Sequence, residues 1–115
     1  MAVVKLNKSA NGYEIISDGL EVGVIEYKAF WDGMPYLSLI KLLPEYRRKG
    51  IGRQAMQLFE TEMKRAGNKA LLLSTQSDED AQHFYRKLGY KECGSLILEN
   101  TPFAQPTEMF FIKVL

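Results

Sequence analysis

The chain has 115 residues, enough for one domain with a single core. Its 46% hydrophobic and 25% charged residues are ordinary for a globular protein, and its net charge of +1 excludes the global basic field of a dedicated nucleic-acid binder. Cys93 is the one cysteine, no apolar run approaches the ~20 residues that span a bilayer, and "MAVVKLNKSANG" lacks a signal-peptide h-region, so a cytoplasmic single domain over residues 1–115 is expected, with no membrane or nucleic-acid partner.

In chain order, a short strand over Val3–Leu6 can come first. "YEIIS" then ends at Asp18-Gly19, a dipeptide typical of tight hairpins. "LEVGVIEYKAF" runs to a second turn at Trp31-Asp32-Gly33, and "PYLSLIKLL" follows, giving an antiparallel meander. Neither face of the middle strand is cleanly apolar, so its burial should vary along its length. Pro44 ends the third strand because it cannot donate to a ladder.

After Gly52 the period changes. Ile51, Ala55, Leu58, Phe59, Met63 and Ala66 recur at helical spacing, and Gly67-Asn68 supplies the stop. "KALLLST" reads as a strand covered on both faces. "QSDEDAQHFYRKLGY" reads as a second helix, capped by Ser77 and Asp78, with acids Glu79 and Asp80 in its first turn and Ala81, Phe84, Tyr85 and Leu88 facing inward. "YKECGSLIL" and "EMFFIKVL" are the closing strands. The order β-β-β-α-β-α-β-β predicts a mixed α/β (α+β) fold, mostly antiparallel. A helical crossover makes one central strand pair parallel.

The chemistry concentrates in "LLPEYRRKGIGRQAM". A strand entering a helix through a glycine turn offers unpaired N–H groups and the positive end of a helix dipole to an anion. Gly50 and Gly52 let backbone approach a phosphate, and Arg47, Arg48 and Lys49 can reach over it. The Walker pattern fails because Arg53-Gln54 follows Gly52, and the dinucleotide fingerprint is weak because an antiparallel meander precedes the turn. These residues alone leave a solvated basic turn as open as an anion site.

A wider match decides between them. "LLPEYRRKGIG" resembles the Arg/Gln-x-x-Gly-x-Gly/Ala signature of the GNAT acetyltransferases, with its Pro-x-Tyr-Arg lead-in. "DEDAQHFYRKLGYKECG", one helix and one strand later, resembles the family's Asn-x-x-Ala-x-x-x-Tyr-x-Lys-x-Gly-Phe block. The likeness runs from Tyr13 to Leu115.

The resemblance implies acetyl-CoA as acyl donor and no metal. Backbone N–H groups of Arg48, Gly50, Gly52 and Arg53 would hold the pyrophosphate, within a turn that also includes Arg47, Lys49 and Ile51. Leu42 and Leu43 would hydrogen-bond the pantetheine arm in a splay between Ile40–Leu43 and Leu72–Thr75. The N–H of Leu42 would polarise the thioester carbonyl. Tyr85 matches the tyrosine that protonates the departing sulfur, a role worth roughly 10²-fold or more; by helix position alone it reads as a core aromatic.

Several positions depart from the family. Ser38 stands where a carboxylate base is common, leaving Glu26 and Glu108 as candidate bases that otherwise read as solvated surface charges. Asp78 replaces the usual Asn and reads as a helix cap. His83 reads as a solvated side chain and Cys93 as a small buried residue. Trp31 is either a lid or part of a surface cluster. Too few residues precede Tyr13 for the family's first two helices, which wall the acceptor pocket. An open acceptor site or a homodimer is therefore expected. The expected function is acetyl transfer to a small-molecule or peptide primary amine. A non-catalytic acyl-CoA-binding module is the alternative, and a nucleic-acid binder has least support.

Overall fold

The computed structural model describes residues 2–115; Met1, first in the expected domain, lies outside the described residues. The strands are β1 (Val4–Lys8), β2 (Gly12–Ser17), β3 (Leu20–Ala29), β4 (Pro35–Leu42), β5 (Ala70–Gln76), β6 (Lys91–Leu96) and β7 (Glu108–Val114). The helices are α1 (Ile51–Arg65), between β4 and β5, and α2 (Ala81–Lys87), between β5 and β6. The strands form one seven-stranded sheet in the order β1-β2-β3-β4-β5-β7-β6, parallel only between β4 and β5. This is the mixed, mostly antiparallel sheet with a central parallel pair that the sequence predicted.

The β2–β3 turn adopts the geometry its dipeptide favours, with Asp18 at φ 50 and Gly19 at φ 85. Burial along β3 is uneven, as expected: Val22 and Ile25 are buried, and the register shifts between Glu26 and Tyr27. On α1 the buried face is Ile51, Ala55, Met56, Phe59 and Met63. Ala66 falls past the helix end and is exposed.

Both helices contribute to the same core cluster as Leu71, Leu73 and Phe111, so they cover one face of the sheet. Leu72 points the other way by strand alternation, toward the face with no helix among the described residues. It is only 5% exposed there, lying in the ladder between Tyr36 and Ile112.

Three local expectations need correcting. The second helix starts at Ala81, so Ser77 and Asp78 do not cap it. The intervening turn serves the end of β5 instead: Ser77 N–H donates to Thr107 O at 2.8 Å, and Gln76 N–H donates to Glu79 Oε1 at 2.8 Å. Cys93 is exposed, because β6 is an edge strand with a register shift between Glu92 and Gly94. The gap in the sheet is also displaced. Tyr36 pairs with Leu72 and Leu37 with Leu73, so the strands diverge only beyond Leu37 and Leu73.

Candidate active site

At the turn after β4 the backbone is left-handed twice, at Arg48 (φ 62) and at Gly50 (φ 81), the N-cap of α1. Such alternation aims successive N–H groups into a concavity that suits an anion. The non-glycine Arg48 bears about 1 kcal/mol of strain to hold it. The first intrahelical bond is Gln54 N–H to Gly50 O at 3.2 Å, which leaves the N–H groups of Ile51, Gly52 and Arg53 without helical partners.

The two glycines serve different needs. Gly50 needs its positive φ, whereas a Cβ at Gly52 would meet only Leu42 Cδ1 at 3.6 Å and Phe84 Cζ at 3.7 Å. No protein atom forbids a Cβ at position 52. The space it would fill belongs to a cleft of about 730 Å³, lined among others by Leu42, Arg47, Arg48, Gly50, Gly52 and Arg53.

Three expected contributors stand apart from that lining. Lys49 Nζ lies over the Tyr46 ring at 5.8 Å, and the Ile51 side chain is buried in the core. The Leu43 N–H is spent on Val22 O at 2.8 Å, and its carbonyl accepts from Tyr46 N–H at 2.9 Å. The Leu43 N–H therefore points toward β3, away from the gap. Antiparallel alternation then turns the N–H groups of Leu42 and Ile40 toward the gap. Arg47 Nε donates to the Leu42 carbonyl at 3.0 Å, so one face of that guanidinium is already engaged.

Where β4 and β5 part lies a slot of about 210 Å³. Ile40, Ala81 and Tyr85 line both this slot and the larger cleft, so the two cavities share a wall. Tyr85 is 7% exposed. Burial, and then the neighbouring Glu79 and Tyr36, push its phenol up to about 12. It therefore keeps its proton at neutral pH. Thr75 also lines the slot, and its Oγ1 is buried with no hydrogen-bond partner.

The candidate bases separate sharply. Glu108, at the start of β7, is half-buried and accepts from Ser74 Oγ at 2.6 Å. Ser74 Oγ lies 2.7 Å from Tyr36 Oη, and Ser74 is one of the residues lining the slot. Neither Glu26 nor Glu108 lines the slot; Glu108 reaches it through Ser74, whereas Glu26 meets Ser38 Oγ only through its backbone carbonyl, at 3.1 Å. His83 is exposed, as expected, and Trp31, 78% exposed, lies outside the lining of both cavities.

Sequence reasoning missed Ser74, Thr75 and Glu79 in the slot, and Asp80 and Phe84 in the cleft. The one available signal was a pair of hydroxyls ending the otherwise apolar "ALLLST". The acid facing the cleft is Asp80 and not Asp78. Among the described residues no cluster of His, Cys, Asp and Glu could hold a metal ion, and no helix is long and apolar enough to cross a membrane.

The acetyltransferase (GNAT) family model matches residues 10–90. Among solved structures, one from Bacillus anthracis under the provisional name of streptothricin acetyltransferase, in complex with acetyl coenzyme A, superposes with TM-score 0.80 at 20% identity, covering 94% of this chain and 65% of that one. A GNAT family acetyltransferase from Elizabethkingia anophelis, with acetyl-CoA bound, gives TM-score 0.79 at 12% identity over 99% of this chain and 98% of that one. The ribosomal-protein-S18-alanine N-acetyltransferase from Escherichia coli gives 0.75 at 18% identity, over 93% and 71%. The chain thus spans just under two thirds of the first of these proteins, and at these identities the likeness carries the fold. No curated protein matches the chain.

Proposed function

The chain belongs to the GNAT acetyltransferase family, and from that premise we propose that residues 1–115 act as one domain that moves an acetyl group from acetyl-CoA to a primary amine. The observation that carries this reading is the shared wall. An anion cradle opens into the same break in the sheet that holds a buried, protonated tyrosine.

In this proposal the left-handed turn and the free N–H groups of Ile51, Gly52 and Arg53 hold the pyrophosphate, assisted by Arg48. The empty Cβ position of Gly52 gives the phosphate room. Leu42, whose N–H faces the gap, hydrogen-bonds the pantetheine arm. Polarisation of the thioester carbonyl falls better to Ile40 N–H than to Leu42, because Ile40 lines both cavities beside Tyr85, whereas Leu42 lines only the outer one.

Tyr85 donates to the departing sulfur. With the phenol pushed up to about 12, its donor form is always present. Full transfer to a thiolate of ordinary basicity, pKa about 8.5, is then uphill. Tyr85 accordingly acts first as a hydrogen-bond donor to the developing charge and delivers its proton late.

The acceptor is a small-molecule or peptide amine. A homodimer remains part of the proposal; a monomer mass by light scattering at tens of micromolar would remove it. The alternative of a non-catalytic acyl-CoA-binding module is tested directly. The protein is incubated with acetyl-CoA and spermidine, L-lysine, kanamycin or an alanine-led peptide while free thiol is followed. Thiol release that depends on one of these amines supports the transferase; tight acetyl-CoA binding without release supports the module.

A further inference from the structure

Beside the break between β4 and β5, the two faces of the sheet carry different chemistry. On the helix face stand Tyr85 and, by strand alternation, Leu73 and Thr75. On the helix-free face stands Ser74, tied to Tyr36 at 2.7 Å and to Glu108 at 2.6 Å.

A hydroxyl has one proton and two lone pairs. Glu108, as a carboxylate, can only accept, so the Ser74 proton points to Glu108 Oε2. The Tyr36 hydroxyl then donates to Ser74 Oγ and occupies one lone pair. The second lone pair of Ser74 is left for a donor, and Ser74 lines the slot. An ammonium group is such a donor, and the carboxylate behind the serine favours its charge.

We propose that the acceptor binds in the slot as an ammonium ion against Ser74, and that Glu108 receives its proton through Ser74. This rests on the transferase reading above and supplies the base which Ser38 cannot. The ammonium proton passes to Ser74 Oγ as the Ser74 proton passes to Glu108 Oε2. The neutral nitrogen forms the new C–N bond to the acetyl carbon as the C–S bond breaks. Tyr85 protonates the sulfur, and the second proton shed by nitrogen restores the Tyr85 phenol. Glu108 returns its proton to solvent.

Ser74 is the group that touches the substrate; Glu108 acts through it, and Tyr36 positions it. Glu108 pairs with Gln76 on β5 and with Leu96 on β6, neither of which titrates. The titratable neighbour is Tyr36, reached through Ser74; Glu108 stands behind Ser74 and outside the slot's lining, where the carboxylate is Glu79.

The test compares Glu108→Gln and Ser74→Ala with the parent protein from pH 6 to pH 10, using spermidine, L-lysine, kanamycin and the alanine-led peptide. Without an internal proton acceptor, the rate must follow the free-amine fraction in solution. Both variants should lose about 100-fold in kcat/KM near pH 7. The deficit should then close as pH approaches the pKa of the amine, about 10 for a lysine-type group. Glu108→Asp should recover part of the loss, and acetyl-CoA affinity measured by calorimetry should not change.

A deficit of the same size at every pH would mean a merely structural role and would overturn the relay, as would variants with parental rates. Parent protein that transfers to none of the four amines would remove the transferase reading, and the relay with it.

Discussion

The two halves of the proposed site, one for the acyl donor and one for its acceptor, are built from different materials. The donor half is mostly backbone: free N–H groups at one turn, and the gap-facing edge of β4. The acceptor half is mostly side chains, Tyr36, Ser74, Glu108 and Tyr85, brought from β4, β5, β7 and α2. Backbone chemistry requires particular residues in a short window, since few residues tolerate positive φ or leave space beside a helix start. A side-chain network can be assembled from any part of the chain, so it leaves no contiguous signature.

The sharpest way to break this contrast is Gly52→Val. Filling the cradle should weaken acetyl-CoA binding about 100-fold, equivalent to about 3 kcal/mol of charge-assisted hydrogen bonds. Melting temperature should barely change, because the added Cβ meets only ordinary contacts. Calorimetry with thermal denaturation checks both. A large loss of stability would make Gly52 a packing residue rather than a ligand-driven one.

Tyr85→Phe attacks the boundary between the halves. It should lower kcat about 100-fold and leave acetyl-CoA affinity unchanged. Steady-state kinetics that instead move KM alone would deny Tyr85 its acid role.

Tyr85 also leaves a signature in stability. Its phenol is held up to about 12 in the fold against 10 in the unfolded chain, chiefly by burial. The unfolded state therefore loses its proton first as pH rises. The contribution is fully present below pH 10 and is lost between 10 and about 12, amounting to about 2–3 kcal/mol. Urea unfolding between pH 9 and 12 should show the loss, and Tyr85→Phe should reduce it. Part should persist in that variant, because Tyr90 is also pushed up, by burial and by its hydrogen bond to Glu60.

Smaller effects separate the cations of the turn. Arg48→Glu should weaken acetyl-CoA binding about tenfold and make it less salt-sensitive. Lys49→Ala should change it by less than about twofold, because Lys49 lies over Tyr46 and outside the cleft lining. Equal losses from both would mean the charge of the turn matters more than its geometry. Binding isotherms at two salt concentrations decide this.

Taken by itself, the sequence determined the element order, the parallel crossover and the family. It also located the glycine turn and placed Tyr85 on the inward face of the second helix. Each depends on local patterning or on spacing within one segment, which a linear reading can follow. It misjudged the start of α2, because Ser77 and Glu79 serve the end of β5 instead, and it misjudged Cys93, which burial on an inner strand would have hidden.

Only the tertiary structure decided where the sheet parts, which way the N–H groups of β4 point, and how two of the outcomes at Glu26 and Glu108 differ. One register shift between Glu26 and Tyr27 and two parallel pairings fix the gap. Ser74 and Glu108 are separated by 34 positions, and β5 meets β7 only through the order of the sheet. The turn "RRKGIG" could be read because its chemistry lies within one helix entrance. The opposite wall could not, because its groups become neighbours only when the strands pair.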